Sequence, residues 1–170
     1  IIYQGELSTI QAIQNGGKAE IYGFEAGLEI NFTKNLQFTS QYNYTGGYQL
    51  EEDGSKVAVR HVAPQFGNGH LIWIYKKLKL DAYANYNGQF DYEDLAPEER
   101  NKAYLYALDK NGNPYSPSWY TLNFGAQYKI TKAFQINTTL ENITNQRYRT
   151  YSSGITAAGL NFIAAVSYRF

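Results

Sequence analysis

The sequence predicts an all-β fold: an antiparallel transmembrane β-barrel, with this chain supplying about seven C-terminal strands of a larger barrel. Three observations predict it. Apolar residues recur at every second position through seven separate stretches, which is the period of a strand with two unlike faces and not of a helix. No Asp, Glu, Lys, Arg or His falls on the apolar set of any stretch, and a Lys or Arg there would cost about 2–4 kcal/mol at the middle of a bilayer. The connections alternate strictly between tight and long, as when antiparallel strands cross a membrane with short turns on one side and long loops on the other.

Residues 1–17 are ambiguous. Ile1-Ile2-Tyr3 reads as the end of an earlier strand, and Asn15-Gly16-Gly17 as a turn or loop. From Lys18 the alternation begins: Tyr22, Phe24, Ala26, Leu28, Ile30 and Phe32 oppose Ile21, Gly23, Glu25, Gly27, Glu29 and Asn31. Thr33-Lys34-Asn35 turns the chain. The second strand sets Leu36, Phe38, Ser40, Tyr42 and Tyr44 against Gln37, Thr39, Gln41, Asn43 and Thr45, and is expected to end at Gly46-Gly47 before a charged loop from Glu51 to Lys56. A third strand follows Pro64, from about Gln65 to Tyr75. Leu71, Trp73 and Tyr75 make its apolar set, but Ile72 and Ile74 are apolar too, so either they pack against something inside the barrel or the register slips. Lys76-Lys77 is the next turn, and the fourth strand sets Leu78, Leu80, Ala82, Ala84 and Tyr86 against Lys79, Asp81, Tyr83, Asn85 and Asn87. The longest interruption, Gly88 to Pro117, holds three of the four prolines and many acidic residues, and Ala96 to Leu108 has room for a short helix opened by Pro97. It is expected to be solvated and mobile. The fifth strand sets Tyr120, Leu122, Phe124, Ala126 and Tyr128 against Thr121, Asn123, Gly125 and Gln127. Thr131-Lys132 turns it into the sixth, where Phe134, Ile136, Thr138 and Leu140 oppose Gln135, Asn137, Thr139 and Glu141. A loop from about Asn145 to Ala158 leads to the last strand, whose alternate residues Leu160, Phe162, Ala164, Val166, Tyr168 and Phe170 are apolar to the end.

Composition excludes several functions. The 170 residues carry a formal net charge of +0, so there is no basic footprint for nucleic acid. The absence of cysteine rules out disulfides and thiolate metal sites. Mean hydropathy is -0.49, and no apolar run approaches the ~20 residues of a membrane-spanning helix. A barrel hides its membrane character in this way because every second residue is polar. Aromatics are 16% of residues, 17 Tyr against 2 Trp, and such amphipathic rings suit a membrane interface. The chain opens without Met or signal peptide and is expected to be processed or a piece of something larger. Seven antiparallel strands would close only through a parallel first–last pair, hence the reading as an arc.

The residues now support a resemblance. Asn15-Gly16-Gly17-Lys18-Ala19-Glu20-Ile21-Tyr22-Gly23-Phe24-Glu25-Ala26 resembles the Asn-x-Gly-x-Ala-x-x-x-Gly-Phe/Val-Glu signature of TonB-dependent outer-membrane receptors. Leu140-Glu141-Asn142-Ile143-Thr144-Asn145-Gln146-Arg147-Tyr148 is similar to their Asn-Leu-Phe-Asn-Lys-x-Tyr segment, with Thr144 in place of the commoner aromatic. The terminal strand resembles the closing strand of an outer-membrane barrel, in which Val166, Tyr168 and Phe170 would be the signal read by the barrel-assembly machinery. The richness in Tyr and Asn resembles receptors of the Bacteroidetes group. The resemblance implies a 22-stranded barrel in the bacterial outer membrane around an N-terminal plug, importing a siderophore, haem, cobalamin or glycan with energy passed through TonB. It implies as partners outer-membrane lipid, the plug and remaining barrel strands, TonB, the assembly machinery and a small-molecule or glycan ligand, with no cofactor. Residues 1–170 would then be the C-terminal segment of the barrel. They carry neither plug nor energy-coupling box, and by themselves should not transport.

Site candidates are few. Glu25, Glu29, Gln41, Asn43, Asn123, Gln127, Asn137 and Glu141 would face the lumen, to bond the plug or water, or to form a plain hydrated wall. Arg is accordingly expected to be tolerated at Asn123 but not at Leu122 or Phe124. Tyr92, Tyr104, Tyr106 and Tyr115 in the long loop are the aromatics that would stack on a ligand. His61 and His70 have no partner at metal-ligand spacing, and Asp91, Glu93, Asp94, Glu98 and Glu99 lack the spacing and central Gly of an EF-hand. No serine sits in a nucleophile elbow, so no enzyme activity is expected. A non-transporting structural or adhesin barrel, or a soluble β-sheet binding module, is the alternative function.

Overall fold

The computed structural model describes residues 2–3, 6–7, 18–51 and 53–170; the Asn15–Gly17 turn and Glu52 of the charged loop lie outside them. Seven long strands form one antiparallel sheet: β1 (Ala19–Asn31), β2 (Leu36–Leu50), β3 (Phe66–Tyr75), β4 (Leu78–Asn87), β5 (Trp119–Lys129), β6 (Phe134–Glu141) and β7 (Asn161–Tyr168). Each strand pairs with its sequence neighbours, and the sheet ends at β1 on one side and β7 on the other. The arc does not close on itself.

Register confirms the two faces. A single cross-strand row runs Ile30, Phe38, Leu71, Ala82, Phe124, Leu140, Phe162, all from the apolar sets. The adjacent row runs Asn31, Gln37, Ile72, Asp81, Gly125, Thr139, Ile163, all from the opposite sets. The register does not slip at β3, because Ile72 lies between Gln37 and Asp81, and Ile74 opposite Lys79, on the inner face. The outer face leaves Phe24, Leu28, Leu71, Leu122, Phe124, Phe162 and Val166 exposed together, a continuous apolar surface that water would not tolerate. The last strand pairs with β6, Val166 opposite Ile136 and Tyr168 opposite Phe134, and Phe170 stands free beyond it.

The short turns are built by local chemistry. Thr33 Oγ1 accepts the amides of Asn35 (3.1 Å) and Leu36 (3.0 Å). Thr131 Oγ1 does the same for Ala133 (3.1 Å) and Phe134 (3.0 Å), so one Thr-Lys-x-apolar device serves both turns. Lys76, at φ 51, turns the two-residue hairpin closed by the Tyr75–Leu78 pair. Neighbouring turns are tied together: the Asn35 amide donates to the Ile74 carbonyl, and Lys77 Nζ to the Ile130 carbonyl at 2.7 Å.

Three expectations are corrected. Gly46-Gly47 does not end the second strand; β2 continues to Leu50 because these glycines make room, and a Cβ at Gly46 would meet the Tyr22 ring at 3.0 Å. A short strand, Lys56–Ala58, then pairs back onto β2 where only a charged loop was expected. Asn123 is no hydrated wall residue. It is 5% exposed, its Oδ1 accepts the Asn142 amide at 2.8 Å and its Nδ2 donates to Thr121 Oγ1 at 3.2 Å, so Arg will not fit there.

Candidate functional site

At the end opposite the short turns, the long loops fold over one another. The 88–117 loop holds two 3-10 turns (Tyr92–Asp94 and Ala103–Leu105), a four-residue helix (Pro97–Arg100), and a two-residue ladder between Ala107–Leu108 and Pro114–Tyr115. The helix starts at Pro97 as expected but stops after one turn. The loop is not simply solvated. Leu95, Ala96 and Glu99 are fully buried, and Glu99 is the hub that holds them there.

Four donors converge on the Glu99 carboxylate. Arg60 Nε donates from the 51–65 loop at 2.8 Å, Lys102 Nζ at 3.1 Å, Tyr106 OH at 2.7 Å, and Ser152 Oγ from the last loop at 3.3 Å. Burial alone pushes the carboxyl up, but the hydroxyl of Tyr106 and the cations Arg60 and Lys102 outweigh it and hold it at about 2. Burial and the Glu99 charge push the Tyr106 phenol up, and the same two causes raise Tyr151 to about 12. Tyr151 packs edge-on against Phe90 at 5.1 Å. One buried charge thus ties three loops into one body.

The last loop is clamped by the Asn-rich motif. Asn142 (φ 49) accepts the Gln146 amide at 2.9 Å and donates to the carbonyls of Gln146 (2.8 Å) and Ala158 (3.1 Å). Asn145 (φ 51) accepts the Leu160 amide at 3.0 Å. Both asparagines adopt the left-handed region that Asn tolerates better than other residues with a side chain. They bring the start and end of the loop together and present Tyr148, which stacks on Trp119 with ring centroids 4.1 Å apart. Arg149 reaches across to the carbonyl of Leu105 at 3.3 Å.

Between these two loops lies a cleft of about 360 Å³. Its walls include Tyr104, Tyr106, Trp119, Arg147, Tyr148 and Arg149. Tyr104 is 77% exposed at the cleft, whereas Tyr106 is committed to Glu99. The Trp119 indole N–H is buried without a hydrogen-bond partner among the described residues. Two of the four tyrosines nominated from sequence therefore meet in the cleft. Tyr92 instead lies under the Arg100 guanidinium (4.6 Å), and Tyr115 pairs with Ala107. Trp119, Tyr148 and the two arginines were missed. The signal for Tyr148 was its place in the Asn142–Tyr148 motif, and for Trp119 its place as the second of only two tryptophans, at a strand mouth.

On the inner wall, His70 Nδ1 lies 3.1 Å from both Asp81 oxygens, and its ring stacks on Tyr83 at 4.9 Å. His70 and Asp81, 11 residues apart in sequence, sit on adjacent strands as a diagonal pair two residues out of register, His70 lying directly opposite Tyr83.

The sequence model of the family described as TonB dependent receptor-like, beta-barrel, matches residues 1–143. No curated protein matches the chain in sequence. Among solved structures, the copper transporter OprC is similar with a TM-score of 0.71 at 16% identity, over 89% of this chain and 23% of that one. The FrpB iron transporter from Neisseria meningitidis is similar with a TM-score of 0.68 at 16% identity, over 92% and 24%. The siderophore receptor PiuA from Acinetobacter baumannii is similar with a TM-score of 0.60 at 19% identity, over 89% and 22%. The chain spans about a quarter of the length of these structures, and at these identities the likeness shows the fold.

Proposed function

We infer the function from one premise: the chain belongs to the TonB-dependent receptor β-barrel family. Members of that family are outer-membrane transport receptors, not enzymes, and the chain is an arc of such a barrel in the outer membrane. We propose that the receptor carrying this arc imports an anionic, aromatic metal chelate of the siderophore type. The observation that carries the proposal is the cleft of stacked Trp119 and Tyr148 flanked by Arg147 and Arg149 at the mouth of the inner face. Aromatic faces take up aromatic chelator rings, and the arginines offset negative charge. The name of PiuA, a siderophore receptor, supports this direction. In this reading residues 1–170 are the C-terminal segment of the barrel, and the plug and TonB contact belong to the rest of the receptor. Ile72 and Ile74 then pack against the plug. Val166, Tyr168 and Phe170 present an apolar edge to the assembly machinery.

The test is uptake of radio-iron by cells whose only iron importer is the full-length receptor. A ferric catecholate should enter, and entry should stop when the inner-membrane proton gradient is collapsed. Replacing Trp119 and Tyr148 together by Ala should weaken binding of the chelate. Uptake of haem, cobalamin or an oligosaccharide in place of the catecholate would reassign the ligand. No energy-dependent uptake of any of them would return the barrel to a structural role.

A further inference from the structure

We infer that the short-turn rim of the arc binds the headgroups of anionic phospholipid. The inference rests on the outer-membrane receptor reading above, which puts these turns on the periplasmic side. The net charge of +0 conceals a segregation. The three turns carry Lys34, Lys76, Lys77 and Lys132, and no Asp or Glu. All four lysines are exposed. The nearest carboxylate on the neighbouring strand, Asp81, faces inward and is engaged by His70. Asp91, Glu93, Asp94, Glu98 and Asp109 all lie at the opposite end, in the long loop.

The rim's geometry favours a membrane surface over a soluble acidic partner. Immediately next to it, on the outer face, stand Tyr75, Tyr128, Tyr168 and Phe170, exposed rings continuous with the apolar belt. Such rings settle at the boundary between hydrocarbon and headgroups. The Lys76 ammonium lies 5.1 Å from the centroid of the outward-facing Tyr75 ring, so its charge is carried on the lipid side and not over the lumen. Lys77 is different, since its ammonium is spent on the Ile130 carbonyl at 2.7 Å. Lys34, Lys76 and Lys132 are therefore the headgroup contacts, one from each turn. Long lysine stems can lie along apolar surface while the ammonium reaches the phosphate plane. An acidic protein would be met by the same charges but would have no use for a ring belt directly beneath them.

The experiment is native mass spectrometry of the purified full-length receptor titrated with phosphatidylglycerol, with phosphatidylcholine, with lipid A and with polyglutamate. The wild type should retain phosphatidylglycerol over phosphatidylcholine. The K34Q/K76Q/K132Q variant should lose that preference by about fivefold for each charge removed, and high salt should erode it in the wild type. Heat-modifiable gel mobility checks that the variant folds; if it does not, the single variants and the salt dependence of the wild type carry the test. No preference in the wild type, or an unchanged preference in a folded variant, overturns the inference. Polyglutamate displacing phosphatidylglycerol without a preference over phosphatidylcholine assigns the rim to an acidic protein and overturns it too. Preferential retention of lipid A that the folded K34Q/K76Q/K132Q variant loses puts the rim on the opposite leaflet and overturns the inference through its orientation. Failure of the receptor reading shows separately, as absence from the outer-membrane fraction or absence of uptake.

Discussion

Replacing Glu99 by Gln should open the long loops without unfolding the barrel. Glu99 has no solvent exposure and takes bonds from Arg60, Lys102, Tyr106 and Ser152, so the loss of its charge is felt by three loops at once. Its carboxyl is held at about 2 against an ordinary 4.5, which corresponds to at most about 3 kcal/mol of differential stabilisation of the charged form. Arg60 is 44% exposed and Lys102 31% exposed, so water screens part of that interaction and the expected cost is about 2 kcal/mol. The penalty is local because no barrel strand contributes to the hub. Hydrogen exchange on the full-length receptor reads it: the amides of Leu105 and Tyr106, bonded within the loop to the carbonyls of Lys102 and Ala103, should exchange about thirtyfold faster in the variant. The amides of β5 and β6 should not change. The pH dependence follows from the sign of the shift. A carboxyl whose folded value lies below its ordinary one contributes stability above about 4.5 that is lost as pH falls from there toward 2. Tyr106, raised above its ordinary 10.0, contributes stability below that value that is lost as pH climbs through its higher folded value. Unchanged exchange in the loops, or equal acceleration in β5 and β6, would refute the hub.

Phe124→Arg should block stable insertion, at a cost of about 2–4 kcal/mol, while Thr139→Arg on the inner face beside Gly125 should be tolerated; heat-modifiable mobility compares them. Trypsin added to intact cells should cut after Lys110 at the open Asp109–Gly112 tip and spare both Lys102, which is bound to Glu99, and the Lys76–Lys77 turn. Deleting Phe170 should lower the amount of folded receptor more than the affinity of each folded molecule, since this ring is fully exposed and takes no part in the cleft. Normal receptor levels with lost binding would show the opposite.

The strands were legible because their outer sets hold no charge and their inner sets are polar, so the period of two stands out. Legibility failed where that contrast fails. Ile72 and Ile74 blur β3, and only pairing with Gln37, Asp81 and Lys79 assigns them to the inner face. Gly46 and Gly47 look like a stop from sequence because glycine weakens strands, yet here the Tyr22 ring occupies the space a side chain would need. The loop site was half legible. Tyr104 and Tyr106 were nominated as loop aromatics, but no local pattern shows that Glu99 is buried when its partners Arg60 and Ser152 lie 39 and 53 residues away. Asn142 and Asn145 were visible as a motif; their work as loop clamps depends on left-handed backbone and on contacts with Asn123 and Ala158.

The central claim is that the even-numbered face of β5 meets lipid while the odd-numbered face looks inward. Spin labels placed singly at positions 124 to 128 of the full-length receptor, in outer membranes, test it most directly. Oxygen, which concentrates in hydrocarbon, should relax labels at 124, 126 and 128, and a water-soluble nickel chelate should be the stronger relaxant at 125 and 127. Accessibility that does not alternate, or that alternates with the opposite phase, would contradict the claim.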